Sequence, residues 1–399
     1  MNILWIQQHY GGPKGSGSLR AFEFITGLQK MGHQVTLLTG DFERMDKEDI
    51  EITRKTGVVV HVAPVKYSQK MGFYRRLIAF KRFIMWCNSF GKSLPKQDVV
   101  FASSTPLPVG DIGRFLSRHH KCPFIFEIRD LWPETTIESG HLKGKLFIGM
   151  ANRMADRIYK SATHIITTCE SNAVGVTEWN FPKDRITVIP HGTDLQRYEK
   201  YSDKDLKEIR TQMGWDEKFV LIHPGAMGFT NWLDYAVDMG KILDKKGIKD
   251  ILIALVGGGA LRDSIEKRIQ SEKIKSVRVY DPVPSSEIPG LLKASNMGLM
   301  TVYPGKRGES PNKVTEYCSA GIPTLFNYES ELSQDMKKHN VAFIAHQQDP
   351  ETAVNILISI KEDRSLLEKV CSNARAYAEQ HYDRRKHILE LENIIQSLV

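Results

Sequence analysis

Short apolar runs alternate with segments of helical period along nearly the whole chain, and this alternation restricts the fold more than any other feature. Strand-like runs occur at 3–7, 34–39, 58–62, 99–102, 124–128, 164–168 and 186–189, then at 219–223, 251–256, 277–280, 297–301 and 324–326. Helical patterning separates most of them. In 18–31, for example, Phe22, Ile25 and Leu28 share one face before Gly32 ends the pattern. Repeated βα units predict parallel sheets with helices on both faces, hence an α/β fold. At 399 residues the chain is too long for one ordinary core. The break is placed near 190–205, where His191-Gly192-Thr193-Asp194 is turn-like and the following stretch is polar. A doubly wound unit is expected on each side of it. Two such units facing each other would form a cleft lined by the loops at the carboxyl ends of their strands.

Composition limits the functions such a chain can serve. It is 41% hydrophobic and 26% charged, as in globular proteins, and no apolar run approaches the roughly 18 residues that span a bilayer. Met1-Asn2-Ile3-Leu4-Trp5-Ile6 reads as a first strand rather than a signal peptide. Five scattered cysteines at no metal-like spacing suit reduced thiols in a cytoplasmic protein. The net charge of +8 favours anionic partners: nucleotide diphosphates, an anionic membrane or nucleic acid. No nucleic-acid-binding module is recognisable, so nucleic acid is not an expected partner.

The stretch Gly308-Glu309-Ser310-Pro311-Asn312-Lys313-Val314-Thr315-Glu316-Tyr317-Cys318-Ser319-Ala320-Gly321-Ile322-Pro323 carries the most chemistry. Ser310 can cap a helix whose first position suits Pro311, while Gly321 and Pro323 end it. A capped helix N-terminus beside Lys313 suits an anion, most naturally a phosphate. Glu316 lies one turn on, on the same face, where a carboxylate can accept hydrogen bonds from a ribose diol. The plainer reading is a surface helix with one ion pair.

Other clusters follow strands. The first βα loop, 8–18, is glycine-rich but lacks the spacing of a dinucleotide fingerprint. Glu127-Ile128-Arg129-Asp130-Leu131-Trp132-Pro133-Glu134 puts charges at a strand's carboxyl end. There Asp130 can orient an acceptor hydroxyl or take its proton, and Arg129 can pair with phosphate or with Asp130. Gly225 and Gly228 can bring backbone N–H groups to phosphates, or simply serve a turn. Asp203-Lys204-Asp205 matches a metal-holding pattern but reads better as the acidic first turn of a helix. Asp194 reads as the source of an Asx-type turn bond. The stretch 71–86 interleaves Arg75, Arg76, Lys81 and Arg82 with Phe73, Leu77, Phe80 and Ile84 at helical spacing. It reads as a basic amphipathic helix, lying either on an anionic bilayer or with its apolar side in the core.

Glu316 to Pro323, with Ser310-Pro311-Asn312-Lys313, resembles the donor-binding motif of retaining glycosyltransferases of the GT-B fold, family 4, in the bacterial polysaccharide-assembly branch that includes fucosaminyltransferase-like enzymes. Arg129-Asp130-Leu131-Trp132-Pro133 is similar to the same branch. The family's earlier glutamate is replaced here by Gly308, and the basic pair that many relatives carry after the first strand of the second unit falls near Met227 and at Asn231. The resemblance implies two Rossmann-like domains, 1–190 on the acceptor side and 191–382 on the donor side, with helix 383–399 crossing back to the first. It implies donor contacts from Gly15, Gly17, Arg20, Gly225, Gly228, Ser310, Asn312, Lys313 and Glu316, with Lys14 a further cation and Val283 against the base. Asp130, Arg129 and Glu316 are the expected catalytic set. The donor is expected to be a UDP-sugar, with no metal or other cofactor. The acceptor is expected to be a lipid-linked or growing glycan, reached from the inner face of the cell membrane through 71–86. A UDP-sugar 2-epimerase and a non-catalytic nucleotide-binding protein are the rival readings.

Overall fold

A computed structural model describes residues 1–14, 19–42, 47–68, 71–138, 140, 142–303, 312–346 and 349–399. The chain divides into two compact units, Met1–Pro190 with Arg385–Val399, and His191–Arg384.

The first unit is built on seven strands: β1 (Asn2–Gln7), β2 (Gln34–Phe42), β3 (Val59–Tyr67), β4 (Val99–Ser103), β5 (Phe124–Ile128), β6 (His164–Thr167) and β7 (Ile186–Val188). All pair in parallel in the order β3-β2-β1-β4-β5-β6-β7. Side chains alternate across such a sheet, and both faces of this one are buried. Ile3 and Trp5 enter one core, where Trp5 stacks on Phe101 at 3.7 Å between centroids. Leu4 and Ile6 enter the other, with Phe83, Ile112 and Ile158 from three helices. Each fully buried aliphatic side chain of this kind contributes about 1.5–3 kcal/mol. The last helix, Arg384–Leu398, adds Leu391 and Ile395 to the Trp5 core, and its Glu392 meets His33 at 3.3 Å. Strand β3 runs on through Pro64, which an edge strand tolerates because that residue has no N–H to donate.

The second unit repeats the plan with β8 (Phe219–Pro224), β9 (Ile251–Val256), β10 (Val277–Tyr280), β11 (Met297–Met300), β12 (Thr324–Phe326) and β13 (Ala342–Ile344). Their order, β10-β9-β8-β11-β12-β13, is again wholly parallel. Alternation divides the cores here too: Leu221, Ile253 and Leu255 face one way, Ile222, Leu252 and Ala254 the other. Strand order reverses direction at β1/β4 in the first unit and at β8/β11 in the second. Such reversals open a crevice at the carboxyl edge of a sheet, where ligands of doubly wound folds bind. The two-domain α/β reading of the sequence therefore holds.

Candidate functional site

In the second unit the helix Asn312–Ala320 connects β11 to β12. Its inner face is fixed by Val314, Tyr317 and Cys318, all fully buried. The Tyr317 ring lies against Gly298, where a Cβ would come within 2.4 Å of it. The phenol donates to the carbonyls of Leu299 (3.0 Å) and Ile222 (3.4 Å), which ties the helix to β11 and β8. At the far end Gly321 adopts a left-handed φ of 74°, and the Ile322 N–H returns to Tyr317 O at 3.0 Å. The helix cap proposed at Ser310 and Pro311 lies outside the described residues.

With the inner face fixed, half-buried Lys313 and Glu316 occupy the outer side, and Asn312 is exposed. The Lys313 ammonium donates to Asn231 Oδ1 at 3.0 Å. The same amide donates to Ala226 O at 2.6 Å, and the Asn231 carbonyl accepts the Thr301 hydroxyl. Asn231 thus joins three segments: the loop after β8, the end of β11 and the helix bearing Lys313. Among the described residues Lys313 forms no ion pair. Burial pushes its pKa down to about 8, although the charge of Glu316 opposes that shift. Beneath it His223 is fully buried, with Nδ1 3.2 Å from Leu299 O. Burial and the Lys313 charge hold that imidazole well below its ordinary range.

Two glycine loops complete this edge. A Cβ on Gly225 would lie 3.4 Å from Lys313 Cε, and one on Gly228 would meet nothing. At Gly257 (φ 147°) a Cβ would fall 2.0 Å from Gly225 O, so the two loops touch backbone to backbone and only glycine fits. Met227 is buried, and its N–H bonds Gly258 O at 2.8 Å. Val283 is half-buried against the second-unit core that holds Trp215, Ile222 and Val256, beyond an Asp281–Arg262 ion pair of 2.8 Å.

The first unit places charge at its carboxyl edge in a different way. Arg20, expected among the donor-binding cations, is buried. Its Nε donates to Glu127 at 2.7 Å, and its terminal nitrogens donate to Pro190 O (2.6 Å) and Ile189 O (2.9 Å). The other Glu127 oxygen accepts from Ser103 Oγ. Burial alone would raise the Glu127 carboxyl, but Arg20, Arg129 and Ser103 outweigh it and hold the group below its ordinary range. Arg20 thereby pins the first helix to β5 and the end of β7, and its guanidinium is occupied.

Arg129 is held by its backbone. Its N–H donates to Ser104 Oγ (3.1 Å), and its carbonyl accepts from Thr168 and Asn172 (3.2 Å each). Neither its guanidinium nor the Asp130 carboxylate forms a hydrogen bond or ion pair among the described residues, so they are not a structural Arg–Asp bridge. Burial raises the Asp130 pKa against the pull of Arg129. Burial lowers that of Arg129 against Glu127. Sequence reading passed over His9, two residues beyond β1. Its ring sits against Tyr67 and Phe42, its Nδ1 is buried without a partner, and burial with Arg129 holds it at about 4. Lys14 is exposed, and its N–H donates to Asp49 at 2.7 Å. Gly15 and Gly17 lie outside the described residues.

Two motifs are structural. Asp205 completes a capping box with Ser202 at the start of the helix Asp203–Met213, and Asp194 accepts the Gln196 N–H at 3.1 Å in an Asx turn. In 71–86 the structure corrects the face. Ala79, Phe83 and Cys87 are buried, whereas Leu77, assigned to the apolar side, points outward at 53% exposure.

Two doubly wound parallel units with polar groups gathered at their carboxyl edges define a GT-B protein. Residues 17–192 match the glycosyl transferase 4-like domain and residues 205–377 match glycosyl transferases group 1, and the chain belongs to this glycosyltransferase family. It is similar to mannosylfructose-phosphate synthase of Agrobacterium fabrum, 22% identical over 372 residues that cover 88% of this chain and 79% of that one. Among solved structures it resembles Anabaena HepE in complex with UDP and glucose (18% identity, 100% of each chain, TM-score 0.73). It also resembles sucrose-phosphate synthase from Thermosynechococcus elongatus (16% identity, 100% of this chain and 98% of that one, TM-score 0.77).

Proposed function

We propose that the protein is a retaining, metal-independent glycosyltransferase. It moves a sugar, an N-acetylated hexosamine or deoxy-hexosamine, from a UDP-sugar to a lipid-linked or growing glycan in bacterial surface polysaccharide synthesis. It works in the cytoplasm at the inner face of the membrane, which it meets through 71–86. The observation that carries this reading is the Lys313 ammonium, held by a neutral amide rather than a carboxylate at the β8/β11 crevice. A carboxylate there would cancel the charge. An amide fixes its position and leaves it for a ligand.

In this mechanism Glu316 accepts hydrogen bonds from the ribose diol. Lys313, with Asn312 at the start of its helix and Ser310 two positions earlier in sequence, stabilises the diphosphate, and Gly225 and Gly228 allow its close approach. The bond between the anomeric carbon and the phosphate oxygen breaks with both electrons leaving on UDP. The acceptor oxygen bonds to the same face of the sugar. Its proton passes late to Asp130, whose raised pKa favours accepting it, while Arg129 supplies positive charge beside it. Anabaena HepE, of the same fold, has been captured with UDP and glucose.

Nucleotide release from UDP-, GDP- and ADP-sugars in EDTA, with and without membrane extract from a polysaccharide-producing bacterium, tests the reading. Release from one UDP-sugar that rises with extract is expected. UDP binding with no release from any donor, with or without extract, would overturn the catalytic assignment.

A further inference from the structure

Five cations surround one cavity at the amino edge of the second unit's sheet, opposite the edge that carries Lys313. Lys218 directly precedes β8, Lys249 lies two positions before β9, Lys273 and Lys275 lie in the connection before β10, and Arg278 is the second residue of β10. These strands are neighbours, in the order β10-β9-β8, so at about 4.8 Å per strand the cations span roughly 10 Å. The cavity they line holds about 490 Å³, within the range of about 300–1,000 Å³ usual for small-molecule sites. Asp244, half-buried Ile248 and buried Leu252 complete its wall.

None of the five forms an ion pair among the described residues. Lys218 Nζ donates to a carbonyl, Lys249 O, at 2.6 Å, and Arg278 reaches Gly214 O at 3.5 Å. The carboxylate in the wall is already engaged: the two Asp244 oxygens accept the Lys275 N–H and the Ser276 hydroxyl, each at 2.6 Å. Asp250, whose charge Lys218 also feels, is bonded to Lys361 at 2.5 Å. Glu272 is bonded to Lys241 at 2.7 Å and Arg268 at 2.8 Å. The helices Asp234–Lys245 and Arg262–Ser271 end at this edge, and a helix C-terminus disfavours anions. Their last turns are closed by backbone, with Ile248 N–H on Leu243 O and Ile274 N–H on Ile269 O, both at 3.0 Å. Each such end counts for about half a negative charge. With Asp244 they amount to about two, against five positive charges, so the cations exceed what the helix ends can balance.

We infer that this cavity is a binding site for a phosphorylated small molecule, a phosphate ester whose phosphate meets the cations and whose organic part lies against Ile248. Clustered ammonium and guanidinium groups without carboxylate partners are what a phosphate requires, since each can give it a charge-assisted hydrogen bond. Inorganic phosphate would use the cations and leave Ile248 in water. Nucleotides and sugar phosphates share the chemistry that fits. The site is separate from the Lys313 crevice: β8 and β9 are six residues each, so at about 3.3 Å per residue about 20 Å of strand lies between the two edges. It therefore does not depend on the transferase reading.

Calorimetric titration of uridine monophosphate, glucose 1-phosphate and inorganic phosphate into the wild type and Lys313→Met, at low and high salt, tests the site. Lys313→Met removes the cation of the other edge, so binding that survives in it belongs to this cavity. At least one ester is expected to bind Lys313→Met saturably, and about tenfold more weakly at high salt. Lys249→Gln/Lys275→Gln is expected to weaken that binding about tenfold while leaving UDP affinity unchanged. Unchanged thermal midpoints show that the variants fold. The ester that binds more tightly identifies the source, a nucleotide or a sugar phosphate. No saturable binding of either ester would overturn the inference, as would wild-type ester affinity in the double variant. Inorganic phosphate bound as tightly as the better ester would also overturn it, by reducing the cavity to counter-ion attraction. Failure of the wild type to bind UDP would count against the transferase reading and leave this site standing.

Discussion

Arg20 and Lys313 both stand at the carboxyl edge of a doubly wound sheet, close to its reversal of strand order, yet they are held in opposite ways. Arg20 is enclosed, with a carboxylate and two carbonyls satisfying its fork. Lys313 has, among the described residues, one neutral hydrogen-bond partner, an amide oxygen. A cation that has lost its water and gained a counter-ion is part of the frame. A cation that has lost much of its water without one sits at raised free energy, which an arriving anion can recover. The same fold thus uses similar charges once as a fastening and once as a receptor, and the partner rather than the residue type tells them apart.

The largest effect should come from breaking the fastening. Arg20→Met leaves Glu127 buried without its partner and is expected to cost about 3–5 kcal/mol in urea unfolding. Lys313→Met should change stability by less than about 1 kcal/mol, since no ion pair is lost. Equal losses in the two variants would erase the distinction. Next in size is turnover. Lys313→Ala and Glu316→Ala are each expected to lower transfer about a hundredfold while staying folded. Full activity in both would remove them from the site. The third concerns pH. A lysine with a pKa of about 8 carries its charge below that pH and loses it above. UDP affinity should therefore be level below about pH 7 and weaken by up to about tenfold per unit above 8. A flat calorimetric profile to pH 10 would show that Lys313 does not meet the diphosphate. The smallest is the coupling between partners. Asn231→Ala should weaken UDP binding about tenfold in the wild type and have little effect in Lys313→Met. Additive losses would mean that Asn231 acts apart from the ammonium.

The sequence made the architecture readable because periodicity is local. Apolar runs of three to six residues, most of them followed by helical spacing, identified twelve strands. The thirteenth, Ala342–Ile344, is no shorter than Thr324–Phe326 but lacks the Gly321 and Pro323 punctuation that marked that strand. The caps and turns at Asp205 and Asp194 were equally local. What could not be read was who meets whom. A cation after a glycine-rich loop looks the same whether it awaits phosphate or closes on a carboxylate, and Glu127 lies 107 positions from Arg20. The bond that positions Lys313 spans 82 positions. His9 was missed because a single imidazole beyond a strand has no signature until Arg129 is placed beside it.

The Asn231–Lys313 contact separates where a charge sits from which segment supplies it. The amide comes from the loop after β8 and the ammonium from a helix beyond β11, and they meet at one point. A chain with lysine on the loop and asparagine on the helix would present its charge at nearly the same place from the other side. Compared column by column, two such proteins would each seem to lack what the other has. Their bound diphosphates would experience the same field.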